Sequence, residues 1–293
     1  MCRLFGFRSV IPSQVHESLI SAENALVVQS EEHPDGWGVA YYVHQVPHVV
    51  KSADGAVSDS LFKHVSGVVS SETVIAHVRK ATAGNLSLIN SHPFQYGKWI
   101  FAHNGDIPGF AEHREELVSR IPPVMRRFIL GDTDSEVVFY MLLARMAGRF
   151  DLQRKGYPVD ELTVAIRETV AEVCEVVGLD CYDTENRHFL TFIITNGETM
   201  AAHNGGKELY LSTHKRRCSQ RDNCPSFAPA CEQISPSGFV THLIFCSEPL
   251  QGENVWLETH AGQIIGVDWR MKLYNDGPRL AELTEHILEL KSA

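Results

Sequence analysis

The feature that most constrains this chain is its start, Met1-Cys2-Arg3-Leu4-Phe5-Gly6-Phe7-Arg8. Loss of the initiator methionine leaves Cys2 as the amino terminus, so that one residue carries both a thiol and a free α-amine. In the reference state the amine titrates at about 7.7–8.0 and the thiol at about 8.5. Near neutral pH the amine is therefore partly unprotonated and can take the thiol proton, which activates the sulfur as a nucleophile. Such a terminus must not fray. Residues 3–8 predict a short strand directly behind Cys2, pinned by sheet pairing. With Met1 retained, the Cys2 nitrogen is an amide with no basic lone pair, and the cysteine is simply a small residue.

The 293 residues suffice for one large domain or two ordinary ones. An apolar share of 44% and a charged share of 21% are those of a soluble globular protein. A net charge of −10 argues against a nucleic-acid or anionic-membrane surface, which needs clustered Lys and Arg. No apolar run approaches the roughly 20 residues of a membrane span. No apolar core follows Arg3 and Arg8, so the start does not read as a secretory signal. Seven scattered cysteines then predict reduced thiols in a cytoplasmic protein.

Along the chain, Val15, Leu19, Ala22 and Leu26 recur at helical spacing and predict a helix from Pro12 to about Ser30, broken by His33-Pro34-Asp35-Gly36. Strands are expected at 37–44, 46–51, 73–78 and 99–103, and a helix at 113–128 interrupted by Pro122-Pro123. The segment 134–147 is apolar nearly all round, which predicts a sandwiched helix. An amphipathic stripe from Val159 to Val177 predicts another. Short strands follow at 188–195, 199–204, 208–213, 239–246, 255–259 and 263–269. A polar excursion loop is expected at about 214–236 and a last helix at about 279–291. With neither repeat nor linker, the order predicts a single α+β domain over residues 2–293.

Four further segments carry chemistry. Arg79, in His77-Val78-Arg79-Lys80-Ala81-Thr82, ends a strand and can offer a planar fork to a carboxylate; alone it reads equally as a surface ion-pair residue. Asn104 and Gly105, after His103, can present a side-chain amide and an unobstructed backbone N–H to an oxyanion, although Asn-Gly is also the commonest hairpin turn. Thr133 and Glu136 match a capping box that places Asp134 in a first helical turn, where the helix dipole holds its carboxylate ionised. Asp35-Gly36-Trp37-Gly38 reads as a loop beside a pocket or as a turn entering a strand with a core Trp. His92-Pro93-Phe94 reads as lining or as packing.

Terminal Cys, then His-x-Arg-x-Ala-Thr, His-Asn-Gly and Thr-Asp-Ser-Glu, in this order, resemble the class II glutamine amidotransferase domain of the N-terminal-nucleophile hydrolases, through Glu136. His33-Pro-Asp-Gly-Trp-Gly38, Asn90-Ser-His-Pro-Phe94 and Ser247-Glu-Pro-Leu250 look like its standalone branch, which includes the γ-glutamyl hydrolase of ergothioneine synthesis and the amidotransferase-like subunit of glutathione breakdown. The resemblance implies a four-layer αββα sandwich with two antiparallel sheets. It implies Cys2 as nucleophile, Asn104 and Gly105 as oxyanion hole, Arg79 on the α-carboxylate and Asp134 on the α-ammonium of a glutamyl group. His77, Thr82 and His103 would complete the substrate site. Lys80 stands where the synthetase-linked members usually carry Trp.

The expected reaction is cleavage of the γ-amide of glutamine or a γ-glutamyl compound, with no metal or organic cofactor. Ammonia would pass to a separate synthase subunit, or the chain would act alone as a γ-glutamyl hydrolase. The alternative is a non-catalytic glutamyl-binding relative that keeps Met1. His214, Cys218, Cys224 and Cys231 lack the paired close spacing of common zinc sites and read as free thiols or a conditional disulfide. The residues carry no signal for oligomeric state.

Overall fold

The computed structural model describes residues 2–81, 84–179 and 190–277. Thr82, residues 188–189 at the start of one expected strand, and the helix expected at about 279–291 lie outside the described residues. The strands are β1 (Arg3–Gln14), β2 (Trp37–Val43), β3 (Val46–Ser52), β4 (Ser70–Val78), β5 (Phe94–Tyr96), β6 (Trp99–Asn104), β7 (Thr191–Thr195), β8 (Met200–His203), β9 (Tyr210–Ser212), β10 (His242–Cys246), β11 (Leu257–Glu258), β12 (Ile264–Val267) and β13 (Leu273–Asn275). The α-helices are α1 (Leu26–Gln29), α2 (Ser60–Val68), α3 (Phe110–Ser119), α4 (Pro123–Arg126), α5 (Asp134–Ala147) and α6 (Val159–Val177). Among them, none is long and apolar enough to cross a membrane.

Two antiparallel sheets carry the fold, ordered β11-β9-β10-β1-β4-β2-β3 and β13-β12-β8-β7-β6-β5. Period-2 alternation sorts their side chains into layers. In β1, Leu4 joins the cluster between the sheets, with Ile75, Ile100, Ile193 and Phe245, while Phe5 and Phe7 face the outer layer with Phe62 and Leu19. Gly6 lies where the sheets close on each other, because a Cβ there would come within 3.0 Å of the Ile193 side chain. On the far side, α5 is buried between the six-stranded sheet and α6, packing Val137, Phe139 and Leu143 with Phe101, Phe192 and Ile166. Each such buried side chain stabilises the fold by about 1.5–3 kcal/mol before entropy is counted. The result is the α+β, four-layer αββα sandwich.

The helix expected from Pro12 to Ser30 is corrected. Pro12, Ser13 and Gln14 continue β1 past a register shift, Leu19 falls on a π turn at Glu17–Ser21 and Leu26 on the single turn of α1, while Val15 and Ala22 lie on neither. Val15, Leu19 and Leu26 are buried as the spacing implied, but against the sheet, Val15 from just after β1 and Leu19 and Leu26 from two short turns. The Asn-Gly pair closes no hairpin: β6 pairs with β5 and β7, and the chain runs from Gly105 towards α3.

The topology gathers distant segments at one end of the sandwich. The register pairs Arg3 with Val78 and Trp37 with Val78, so the chain leaves β4 for Arg79 directly beside Cys2. The last residue of β6, Asn104, pairs with Thr191.

Candidate active site

The segment after β4 is held by the turn before β2. Asp35 N–H donates to Arg79 O (3.1 Å), Arg79 N–H donates to Gly36 O (2.8 Å), and Ala81 N–H donates to the Asp35 carboxylate (2.8 Å). Trp37 is fully buried against Phe62 and donates its indole N–H to Asp59. The Asp-Gly-Trp-Gly segment is thus both a buttress of the site and a core anchor. Cys2 sits against this segment: its thiol lies 3.4 Å from Lys80 O, and Lys80 N–H donates to its Sγ at 3.3 Å.

Asp134 opens α5 behind the N-cap Thr133, whose hydroxyl accepts from Glu136 N–H. Only half of the expected capping box forms, because the Glu136 carboxylate reaches back to the N–H groups of Leu130 and Gly131 instead. Asp134 accepts from Ile107 N–H (2.8 Å) through one oxygen, and from the Ser135 N–H (2.7 Å) and hydroxyl through the other. These bonds fix a carboxylate at a helix N-terminus, where the dipole favours its charge.

Cys2, Arg79, Lys80, His92, His103, Gly105, Thr133, Asp134 and Ser135 line one open pocket of about 280 Å³. Asn104 lies at the strand end beside Gly105, with its amide 3.5 Å from Ser247 Oγ. His77 is fully buried, its ring 4.3 Å from that of His92. Thr82 lies outside the described residues.

Charge in the pocket is set mainly by burial. It pushes the Cys2 thiol up, opposed by the Lys80 backbone bond and by Arg79. It pulls the Arg79 guanidinium down, opposed by Cys2, Asp35 and Asp134. Burial, with Arg79 nearby, pushes His77 down to about 3, and an approach to the His103 main chain only partly offsets this. His92 is likewise held well below the usual histidine range by burial. Both rings are therefore neutral at pH 7 and add no cation beside Arg79. His103 Nδ1 lies 2.8 Å from the Ser135 hydroxyl, which also reaches Asp134 at 3.2 Å.

Sequence reasoning did not foresee this histidine cluster, nor the roles of Asn90 and Ser247. Asn90 joins the 85 and 132 loops through Asn85 O and Asp132 N–H. The quoted segments Asn90–Phe94 and Ser247–Leu250 were the signal for both. Chemically, a thiol, a buried guanidinium and a fixed carboxylate around one pocket suit a small zwitterion with an electrophilic centre.

Residues 1–218 match the sequence model of the glutamine amidotransferases class-II. The probable glutamine amidotransferase DUG3 of Saccharomyces cerevisiae is 28% identical over 224 residues, 68% of this chain and 62% of its own. The gamma-glutamyl-hercynylcysteine sulfoxide hydrolase of Mycobacterium tuberculosis is 36% identical over 72 residues, 24% of this chain and 31% of its own. The chain spans less than two thirds of the length of either relative. A glutamine aminotransferase class-II domain protein from Silicibacter pomeroyi shares the fold, with a TM-score of 0.61 at 19% identity over 94% of this chain and 97% of that one.

Proposed function

Because the chain belongs to the class-II glutamine amidotransferase family, we propose that it is a cysteine amidohydrolase cleaving the γ-amide of glutamine or a γ-glutamyl compound through a thioester on Cys2. The observation that carries this reading is the convergence of Cys2, Arg79, Gly105 and Asp134 on one pocket.

The chemistry follows from what each group can do. Removal of Met1 turns the Cys2 nitrogen into an amine that takes the thiol proton. Arg79 binds the substrate α-carboxylate by its planar fork and Asp134 binds the α-ammonium, which sets the γ-carbonyl over the sulfur. The thiolate attacks the carbonyl carbon, and the charge on oxygen is met by the Asn104 amide and the Gly105 N–H. The terminal ammonium gives its proton to the leaving nitrogen as the C–N bond breaks, leaving a γ-glutamyl thioester. Water, deprotonated by the same amine, attacks the thioester; glutamate leaves and the thiol is restored.

The leaving group is ammonia if glutamine is the substrate, handed to a separate synthase subunit. It is a larger amine if the chain acts alone as a γ-glutamyl hydrolase. The name of the mycobacterial relative favours the second course, over the 72 residues that match. The test is a screen of glutamine, γ-glutamyl peptides and γ-glutamyl amides on protein whose amino-terminal residue is verified as Cys2 by intact mass. Glutamate release from at least one of them is expected. No release from any would overturn the reading, and a Met1 retained in the native host would favour a non-catalytic glutamyl-binding role.

A further inference from the structure

We propose that Ser247 is a positioning residue, whose hydroxyl, anchored on the strand behind Cys2, sets the orientation of the Asn104 amide. The proposal rests on the oxyanion role of Asn104 given above. Ser247 lies beyond residues 1–218, the stretch that matches the family.

Ser247 follows β10 directly and is 3% exposed. The register pairs Phe5 with Cys246, so Leu4 and Ser247 stand at the next rung of the ladder. Ser247 N–H donates to Leu4 O (3.1 Å), and Leu4 N–H donates to Ser247 Oγ (2.9 Å). A side-chain oxygen thus accepts where a ladder would use a carbonyl, two residues from the nucleophile. The same oxygen lies 3.5 Å from the Asn104 amide.

The hydrogen-bond inventory decides how that amide is turned. Its two ends are alike in shape, so partners alone distinguish them. With nitrogen towards Ser247, the hydroxyl accepts twice, and Asn104 Oδ1 stays buried without a partner. With oxygen towards Ser247, the hydroxyl accepts from Leu4 and donates to Asn104, using its one proton. The Asn104 NH₂ then takes the buried position at which Oδ1 finds no donor, one residue before Gly105 of the pocket wall. A donor left open in the resting site and filled only when an oxyanion forms stabilises the transition state selectively. Ser247 supplies the hydrogen bond that selects this orientation.

The experiment measures glutamate release by processed wild type, Ser247→Ala, Ser247→Thr, Asn104→Ala and the Ser247→Ala/Asn104→Ala pair, with thermal unfolding of each. Removal of an oxyanion donor lowers kcat by about 100- to 1,000-fold. Ser247→Ala is expected to lower kcat by about 10- to 100-fold with KM within about threefold, because the interaction belongs to the transition state. Ser247→Thr keeps the hydroxyl and restores kcat to within about threefold of wild type. In the Asn104→Ala background, Ser247→Ala should cost less than about threefold more, since the group it positions is gone. Full additivity in the double variant, or loss of thermal stability with unchanged kcat, would overturn the proposal while leaving the oxyanion reading intact. Wild-type activity unaffected by Asn104→Ala would remove the reading and the proposal together.

Discussion

Gly38→Ala tests the packing beneath the pocket. Gly38 lies in β2 opposite His77, and its missing side chain is what lets the His92-Pro93 main chain pass. A Cβ built there would stand 2.1 Å from His92 O and 2.8 Å from Pro93 Cδ. Real contacts of this kind do not fall below about 3 Å, so strand and segment must part by about 1 Å. Overpacking costs typically about 1–3 kcal/mol, and the upper end applies because the added Cβ meets the His92 main chain and not a flexible side chain. At about 2–4 °C per kcal/mol, the melting temperature should fall by about 6–12 °C. His92 both lines the pocket and packs on His77, so its displacement should also slow glutamate release by about tenfold or more. Gly67→Ala is the control: Gly67 sits in α2 with only His16 Nδ1 near its would-be Cβ, at 3.9 Å, and the change should stabilise by about 0.5–1 kcal/mol. Thermal unfolding of both variants decides. A Gly38→Ala protein melting within about 2 °C of wild type would refute the steric reasoning.

Asp134→Asn keeps the shape but offers an NH₂ to one of two backbone donors, Ile107 N–H or Ser135 N–H, leaving a buried N–H unpaired at a cost of about 1–3 kcal/mol. Its glutamyl KM should rise along with the lost stability; urea unfolding and steady-state kinetics measure the two, and an unchanged midpoint would count against the bonding described. Arg79→Lys keeps a cation but loses the fork and its bond to Asn85 O (3.3 Å), so KM for glutamine should rise about 10- to 100-fold; an unaltered KM would remove Arg79 from the carboxylate site. His77 has a folded value of about 3 against about 6.5 unfolded. The unfolded chain therefore binds the proton first, and stability present above about pH 6.5 is lost towards pH 3 at about 1.4 kcal/mol per pH unit. Chemical unfolding from pH 6 to pH 4 should show a slope flatter by that amount in His77→Phe; equal slopes would mean that the ring is not held neutral.

What could be read from the residues alone was whatever local pattern determines. The strands β2 and β3 were expected within a residue of their bounds, and the bounds of α5 and α6 followed from cap and stripe. The helix expected over 12–30 did not form, because apolar spacing records burial, and Val15 is buried from just after β1 and Leu19 and Leu26 from separate short turns. The short helix α2 escaped notice, since it buries only Phe62 and Ser66. Glu136 fitted a capping pattern, yet the Leu130-Gly131 loop supplied better-placed donors. The histidine cluster was invisible for a different reason. His77, His92 and His103 come from β4, the segment before β5, and β6, and only the tertiary fold brings them together. Ser247 carried a motif signal without a reason; the reason is a hydrogen bond to Leu4, 243 positions away.

The proposed chemistry requires Cys2 as the nucleophile of a processed terminus. The direct measurement is the rate of glutamate release by wild type and by Cys2→Ala, both with Met1 shown by intact mass to be absent, on the best γ-glutamyl substrate of the screen. Cys2→Ala is expected to lose at least about a thousandfold. A variant releasing glutamate at the wild-type rate would contradict it.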